Sequence, residues 1–441
     1  MSTPGEIYDM IGIGFGPANL ALAVACEEAS ADKPLRHLFL ETKPSFVWHP
    51  GMLIEDSLLQ ITVLKDLILV ENPCSRFTFL SYLKEKGRLY EFLNLRDLYP
   101  TRIEFNDYLH WTADQLSDRV HYGREVVAID PVDEEGRSDA ERPSLLRITA
   151  RDSSEPGGAT SEYFCRNLVL AAGGRPQMPP GIQLKKGGRA FHPHVFKQRI
   201  AEFDDPNAPY RFVVIGGGQS AGEIFEYLID HYKQADVTAT VRGFGYKPVD
   251  DSDFTNRIFF PEWVDYYHEL PREKREYLFN DLKNVNYAAI DNPLIHRIYT
   301  KLYRQKAAGN ERARLRPFME LKAMNEKENS VELEFFETME EKKIVLDVDG
   351  AVICTGWSWP KEHPLLAGVD FLLARDDRGG YDIDRDYKVT CRNGGPGVYL
   401  QGYCEETHGI SETVLSLLPV RAARIRDSVY AACLSGEPAL T

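Results

Sequence analysis

The chain has 441 residues, room for two to three domains at ~150 residues each, and its 43% hydrophobic content speaks against extended disorder. Fifty-two Lys and Arg against 67 Asp and Glu leave a net charge of −15, which excludes nucleic acid or an anionic membrane as a partner held by bulk electrostatics. Seven scattered cysteines form no C-x-x-C pair, the N-terminus has no basic and apolar leader, and no stretch approaches ~18 consecutive apolar residues. These features point to a cytoplasmic protein in a reducing compartment, with no metal site and no membrane span.

In chain order, the apolar run Ile7–Ile13 ends in clustered glycines (Gly12, Gly14, Gly16), then Pro17 and the helix-forming stretch LALAVACEEA. That is strand, tight turn, helix, the opening of a nucleotide-binding βαβ unit. His37–Leu40 reads as the second strand and closes on Glu41. Residues 131–160 mix Pro, Gly, Ser and charge, and read as a surface hairpin. Asn167–Leu170 reads as a buried strand running into the turn Gly173-Gly174. The opening motif then recurs: Phe212–Ile215, the cluster Gly216-Gly217-Gly218, Gln219, Ser220 and a helical stretch. Its second strand, Val237–Val241, runs into Arg242. Residues 262–310 are polar, aromatic and helical, an insertion rather than part of a sheet. IVLDVDGAVICTGW, after Lys343, reads as one more strand and ends at Thr355-Gly356. The C-terminal segment is helical, with Pro419 as a kink.

The fold class is therefore α/β, with two Rossmann-like dinucleotide-binding domains and a small, mainly helical substrate-binding subdomain. The expected boundaries are 1–205 for the first domain and 206–340 for the second, with the helical insertion at about 255–310. Residues 341–441 are expected to return to the first domain.

Each glycine cluster has a chemical reading. Gly12 allows the tight turn, Gly14 lets backbone approach a pyrophosphate, and the following helix offers free N–H groups to the anion. Glu41 stands where an acid would bind ribose hydroxyls. The spelling departs from G-x-G-x-x-G, since Pro17 takes the third position and a glycine falls one place earlier, at Gly16. The second cluster fits G-x-G-x-x-A with Gly216, Gly218 and Ala221. Arg242 replaces the acid there and can pair with a 2′-phosphate, which favours NADP over NAD. Two such sites imply two cofactors exchanging hydride, FAD and NADPH. The motifs alone leave the electron acceptor open among a disulfide, a quinone and oxygen, although the absence of a redox cysteine pair argues against the first.

GIGFGPANL, Trp48-His49-Pro50-Gly51-Met52, Leu64-Lys65-Asp66-Leu67, GGGQSAGE, Asn286-Tyr287 and Thr407-His408-Gly409-Ile410-Ser411 occur in this order along nearly the whole chain. Together they resemble the microbial N-hydroxylating flavin monooxygenases of siderophore biosynthesis. Asn72-Pro73 and the stretch Ser411–Pro419 look more like the L-ornithine N5 branch than the L-lysine N6 branch. Cys354-Thr355-Gly356-Trp357 departs from the family's usual Ala-Thr-Gly-Tyr but keeps the aromatic.

The resemblance implies N-hydroxylation of a side-chain amine with NADPH, FAD and O2, through a flavin C4a-hydroperoxide that bound NADP+ shields from water. The amine must be neutral to react. L-lysine, putrescine, cadaverine and histamine remain alternative substrates. Carried over by residue, Lys65 and Asn256 grip the substrate carboxylate, and Ser411 contacts the amine end. Asn286 contacts the nicotinamide ribose and the reactive oxygen. Trp48, His49 and Gln60 lie by the flavin, with Thr355 and Gly356 also against a cofactor. Gln219, Ser220 and Arg242 hold NADPH. The resemblance also implies a homo-oligomer, a tetramer.

Overall fold

The computed structural model describes residues 5–29, 34–138, 143–392 and 394–435. The first sheet contains β1 (Ile7–Ile13), β2 (His37–Leu40), β3 (Val120–His121), β4 (Arg124–Val132), β5 (Leu145–Asp152) and β6 (Thr160–Leu170), in the order β3-β2-β1-β6-β5-β4. β3, β2, β1 and β6 are mutually parallel, while β5 runs antiparallel to both β4 and β6. The hairpin expected over 131–160 is part of this β4-β5-β6 meander; its residues 139–142 lie outside the described residues. A short ribbon follows, in which β7 (Arg175–Pro176) pairs with a later strand.

The second sheet gathers β8 (Ala190–Phe191), β9 (Arg211–Ile215), β10 (Asp236–Thr240) and β11 (Ala313–Arg316). β12 (Met319–Glu326), β13 (Val331–Glu337) and β14 (Lys342–Val348) form an antiparallel meander over one face of it. β15 (Gly350–Ile353) then enters the second sheet, whose order is β11-β10-β9-β15-β8, all parallel. β16 (Trp357–Ser358) pairs with β7, and β17 (Gly397–Leu400) lies parallel to β6 in the first sheet.

Three expectations are corrected here. The run after Lys343 is two strands, and the one ending at Cys354-Thr355-Gly356 belongs to the second sheet, since β15 pairs with β9. The return to the first sheet comes later, with β17. The second sheet also begins before residue 206, because β8 already belongs to it. The break between β14 and β15 falls at Asp349, whose carboxylate accepts from the Arg211 backbone N–H at 2.7 Å and from its guanidinium at 2.9 Å.

The helices are α1 (Pro17–Glu27), α2 (Phe79–Glu85), α3 (Leu89–Leu95), α4 (Arg102–Asp114), α5 (Phe196–Ile200), α6 (Gln219–His231), α7 (Pro261–Glu269), α8 (Arg272–Leu282), α9 (Asn292–Ala307), α10 (Glu405–His408) and α11 (Leu418–Ser435). α1 is buried from Asn19 to Cys26, because the first sheet covers one side and α11 the other. Pro419 sits in the first turn of α11, where the missing N–H costs nothing, so it starts the helix rather than kinking it. α9 packs on α6 and feeds β11; it is the crossover of the second unit, not part of the helical insertion. That leaves α7 and α8, which pack on α10.

A buried polar chain ties these parts together. Asn19 of α1 donates to the carbonyls of Ile13 (3.3 Å) and Gly14 (2.7 Å). Its amide oxygen accepts from Gln401 at 2.9 Å, and Gln401 accepts from Arg421 Nε at 3.1 Å. Arg421 donates to the carboxylate (2.7 Å) and carbonyl (2.6 Å) of Glu412, whose carboxylate also accepts the Gly402 N–H. The side chains of Arg421 and Glu412 are 5% and 0% exposed. Removing one partner of such a pair strands a charge in low dielectric. Arg421→Met should therefore cost about 3–5 kcal/mol in denaturant unfolding. Adding Glu412→Leu should recover part of the loss by removing the stranded charge. A single variant that loses under about 1 kcal/mol would show the pair to be dispensable.

Candidate functional site

The first glycine turn forms at the carboxyl end of β1. Gly14 has φ +83°, and a Cβ there would stand 2.7 Å from the Ala171 carbonyl oxygen, so only glycine fits. Gly16 caps the N-terminus of α1 and Pro17 occupies its first turn. A Cβ on Gly16 would meet nothing within 4 Å, so this face of the turn is open to a ligand. Gly12 lies within β1 against Phe39 and Asn19. Glu41 follows β2 and folds back on the turn: its carboxylate accepts from Phe15 N–H at 2.7 Å and from Lys43 N–H at 2.9 Å. An acid fixed beside an open helix N-terminus suits a ribose and pyrophosphate, so the residues present fit a dinucleotide.

Trp48 donates its backbone N–H to Asn106 at 3.0 Å, and its ring lies 5.2 Å from that of His49. His49 has φ +45° and stands 5.7 Å from the Trp357 ring, which links this segment to the β7–β16 ribbon. Gln60 is exposed on a bend.

The second turn repeats the arrangement on β9. Gly216 has φ +144°, and a Cβ there would meet the Cys354 carbonyl oxygen at 2.2 Å, because β15 ends alongside. Its N–H donates to the Thr240 carbonyl at 3.0 Å, which holds the end of β10 against the turn. Gly218 caps α6, and Ser220 is half-buried in its first turn. Arg242 is exposed two residues past β10. Gln219 differs from expectation: its amide donates to Glu223 (2.9 Å) and Asp291 (2.5 Å) and accepts the Asp291 N–H (3.0 Å). Its side chain braces α6 against the cap of α9 and is not directed at a cofactor. Thr355 and Gly356 also hydrogen-bond to neighbouring segments, and a Cβ on Gly356 would meet nothing within 4 Å. The Thr355 hydroxyl donates to the Gln177 carbonyl, and the Gly356 carbonyl accepts from Gln177 N–H (2.9 Å) and His192 Nε2 (3.0 Å). Burial pulls the His192 ring down to about 4, so it is neutral and Nε2 carries the proton.

The candidate substrate residues gather around two short turns. Lys65 is half-buried, with Nζ 5.8 Å from the Phe259 ring, and no carboxylate lies within ion-pair distance among the described residues. Burial alone holds its ammonium below the ordinary lysine value. Phe259 and Asn256 share the turn Thr255–Phe259. Asn256 donates to the Asp251 carbonyl at 3.0 Å, a bond within its own loop. This turn packs through Ile258 on Ile410, at the start of the turn Ile410–Thr413, which contains the buried Ser411. Asn286 is exposed and donates to the Thr413 hydroxyl at 3.4 Å.

Beside them opens a cleft of about 420 Å³ at the carboxyl ends of β6 and β17, walled by Gln177, Trp357, Trp359, Tyr403, Tyr287 and Glu405. Lys65, Asn256, Asn286 and Ser411 do not line it; their neighbours Tyr287 and Thr413 do. Sequence reasoning missed Tyr287, Thr413 and Glu405, and it missed the chain from Asn19 to Glu412. An amide inside an all-apolar helix was the one available signal for that chain.

Two glycine turns, each on parallel strands of its own sheet, one with an acid and one with a cation after its second strand, define an oxidoreductase that holds two dinucleotides. The particular family follows from comparison: residues 6–359 match the family described as L-lysine 6-monooxygenase/L-ornithine 5-monooxygenase, and the chain belongs to it. It is 39% identical to an L-ornithine N(5)-monooxygenase of Burkholderia cepacia, over 91% of this chain and 90% of the relative. Among solved structures it resembles the ornithine hydroxylase PvdA of Pseudomonas aeruginosa (35% identity, TM-score 0.89, 97% and 100% covered). It also resembles the Kutzneria sp. 744 ornithine N-hydroxylase KtzI, in a form titled with reduced FAD, NADP+ and L-ornithine (34%, TM-score 0.90, 97% and 100% covered).

The two neighbouring glycines of the first turn should behave differently. Gly14→Ala places a side chain at positive φ against a carbonyl and should destabilise the ligand-free protein by about 1–3 kcal/mol. Gly16→Ala should leave its melting temperature unchanged and weaken dinucleotide binding, since the new methyl enters open space. Thermal unfolding and a binding titration on both variants check this; equal melting temperatures would refute the distinction.

Proposed function

We propose that this enzyme hydroxylates the side-chain amine of L-ornithine. It consumes NADPH and O2 and gives N5-hydroxy-L-ornithine, NADP+ and water. The product supplies siderophore or related hydroxamate synthesis. The reading is supported by ornithine-acting relatives that align over more than nine-tenths of the chain. FAD is the bound group that takes hydride from NADPH and activates O2. Gly14, Gly16 and Glu41 hold it on the first sheet, and Gly216, Ser220 and Arg242 hold NADPH on the second. The seven cysteines, none of them in a C-x-x-C pair, suit a cytoplasmic setting, and among the described residues no helix is long and apolar enough to cross a membrane.

The single observation that carries the substrate choice is Lys65. A half-buried cation with no protein carboxylate beside it calls for an anion, and an α-carboxylate supplies one. Asn256, on the turn that Lys65 faces, is the partner for the rest of that amino-acid head, Ser411 is the contact to its amine end, and Asn286 is the contact to the nicotinamide ribose and the reactive oxygen. A diamine would leave Lys65 without its ligand.

The test is steady-state hydroxylation of ornithine and of putrescine, which is ornithine without its carboxylate. A charge-assisted contact is worth ~1.5–3 kcal/mol, so Lys65→Ala should lower kcat/KM for ornithine roughly tenfold to more than a hundredfold. Its activity on putrescine and its rate of flavin reduction by NADPH should be unchanged. Wild-type preference for putrescine, or equal losses on both amines, would move the assignment to an amine lacking an acid group.

Cofactor choice is a separate matter. Arg242→Ala should raise the KM for NADPH about tenfold and leave that for NADH unchanged, because only NADPH has the 2′-phosphate. Equal use of both cofactors by wild type would contradict the assignment of Arg242.

A further inference from the structure

The proposed reaction needs a neutral amine, yet an alkyl amine with a pKa of ~10.4 arrives as an ammonium. Something in the site must hold that cation and take its proton. Three carboxylates line the cleft, Asp376, Glu405 and Glu406. Glu406 is paired with Arg272 of α8 at 2.9 Å and with Lys361 at 3.1 Å. Asp376 is paired with the same Arg272 at 3.2 Å. Glu412, on the turn behind, is spent on Arg421. Glu405 alone of these carboxylates has no ion-pair partner among the described residues; its oxygen accepts a short hydrogen bond from the Tyr287 phenol.

Resting on the ornithine reading, we propose that Glu405 is the counter-ion of the substrate ammonium and the base that deprotonates it. One N–H bond of the ammonium breaks and one O–H bond forms on the carboxylate. The nitrogen keeps the electron pair with which it attacks oxygen, and the proton leaves Glu405 to solvent through the open cleft.

The surroundings are suited to this role. Glu405 is half-buried, and the carboxylates of Glu412 and Glu406 face it; burial first, then their repulsion, raises its affinity for a proton. The Tyr287 hydrogen bond works in the opposite direction and favours the ionised form. From α7 the neutral phenol of Tyr267 faces the same charge, and Lys283 lines the cleft. His363, the other base on the wall, is held neutral by burial, and its ring nitrogen already accepts the Leu365 N–H at 3.3 Å. Tyr287 and Thr413 are 3.1 Å apart, and Thr413 shares its turn with Ser411, the residue expected at the amine end, so Glu405 belongs to that cluster.

The experiment compares FAD-loaded wild type, Glu405→Gln, Glu405→Asp and Tyr287→Phe for hydroxylated ornithine formed between pH 7 and pH 10. Ornithine binding by calorimetry and flavin reduction by NADPH are measured alongside. Glu405→Gln should lose about 100-fold in product formation near pH 7, bind ornithine about tenfold more weakly and reduce its flavin at the wild-type rate. The deficit should shrink about tenfold for each pH unit towards ~10, as free amine supplies itself. Glu405→Asp should recover part of the activity. Tyr287→Phe, which removes the bond that favours the ionised form, should move the acidic limb of the profile to higher pH. A Glu405→Gln deficit that is constant with pH, or a loss under threefold, overturns the proposal while the ornithine reading stands. A wild type that consumes NADPH but makes no hydroxylated ornithine overturns both.

Discussion

The buried chain Asn19–Gln401–Arg421–Glu412 is the constraint from which the geometry of this protein follows. It starts on the carbonyls of the first glycine turn and ends on the turn that contains Ser411 and Thr413. In a low-dielectric interior each link is strong when made and expensive when lost, so the chain has one arrangement and no cheap alternative. It ties the site for one cofactor to the wall of the substrate site, although the residues come from opposite ends of the sequence. A hydrophobic core could hold α11 on α1 equally well, but with less control over rotation and register.

A second buried connection joins the two sheets. Arg102, the first residue of α4, makes a bidentate pair with Glu223 of α6 at 2.7 and 2.9 Å, and Glu223 accepts from Gln219. Gln219 in turn holds Asp291, whose other oxygen accepts from Leu294 N–H at the start of α9. The N-terminus of α6, which faces the second dinucleotide, is thus fixed to the helical cover of the first sheet. Two dinucleotides that exchange hydride need this relation, because transfer depends on sub-ångström placement of the reacting atoms.

The candidate substrate residues then sit on short turns rather than on the sheets. The turns Thr255–Phe259 and Ile410–Thr413 pack on each other through Ile258 and Ile410. Each is braced on a rigid element, so short irregular backbone can present Lys65's neighbour Phe259, Asn256, Ser411 and Thr413 with little freedom. The glycine turns follow the same logic. Positive φ at Gly14 and Gly216 is tolerated because a neighbouring strand leaves no room for any other residue.

The sequence by itself determined the two strand–glycine–helix openings, the acid after one and the cation after the other, and the helical character of 262–310. These are local properties: apolar periodicity, backbone freedom at glycine, and a single side chain at a strand end. Tertiary structure alone decided which sheet receives the strand before Thr355, because a four-residue apolar strand carries no label for its partner; β15 joins β9 and not β6. It alone gave Gln219, Thr355 and Gly356 their hydrogen-bond partners on neighbouring segments, since polar groups look alike in sequence whatever they face. It alone brought Asn19 to Gln401 and left Glu405 with a phenol and no ion-pair partner among the described residues. Pairing across hundreds of residues is set by packing and burial, which no local pattern encodes.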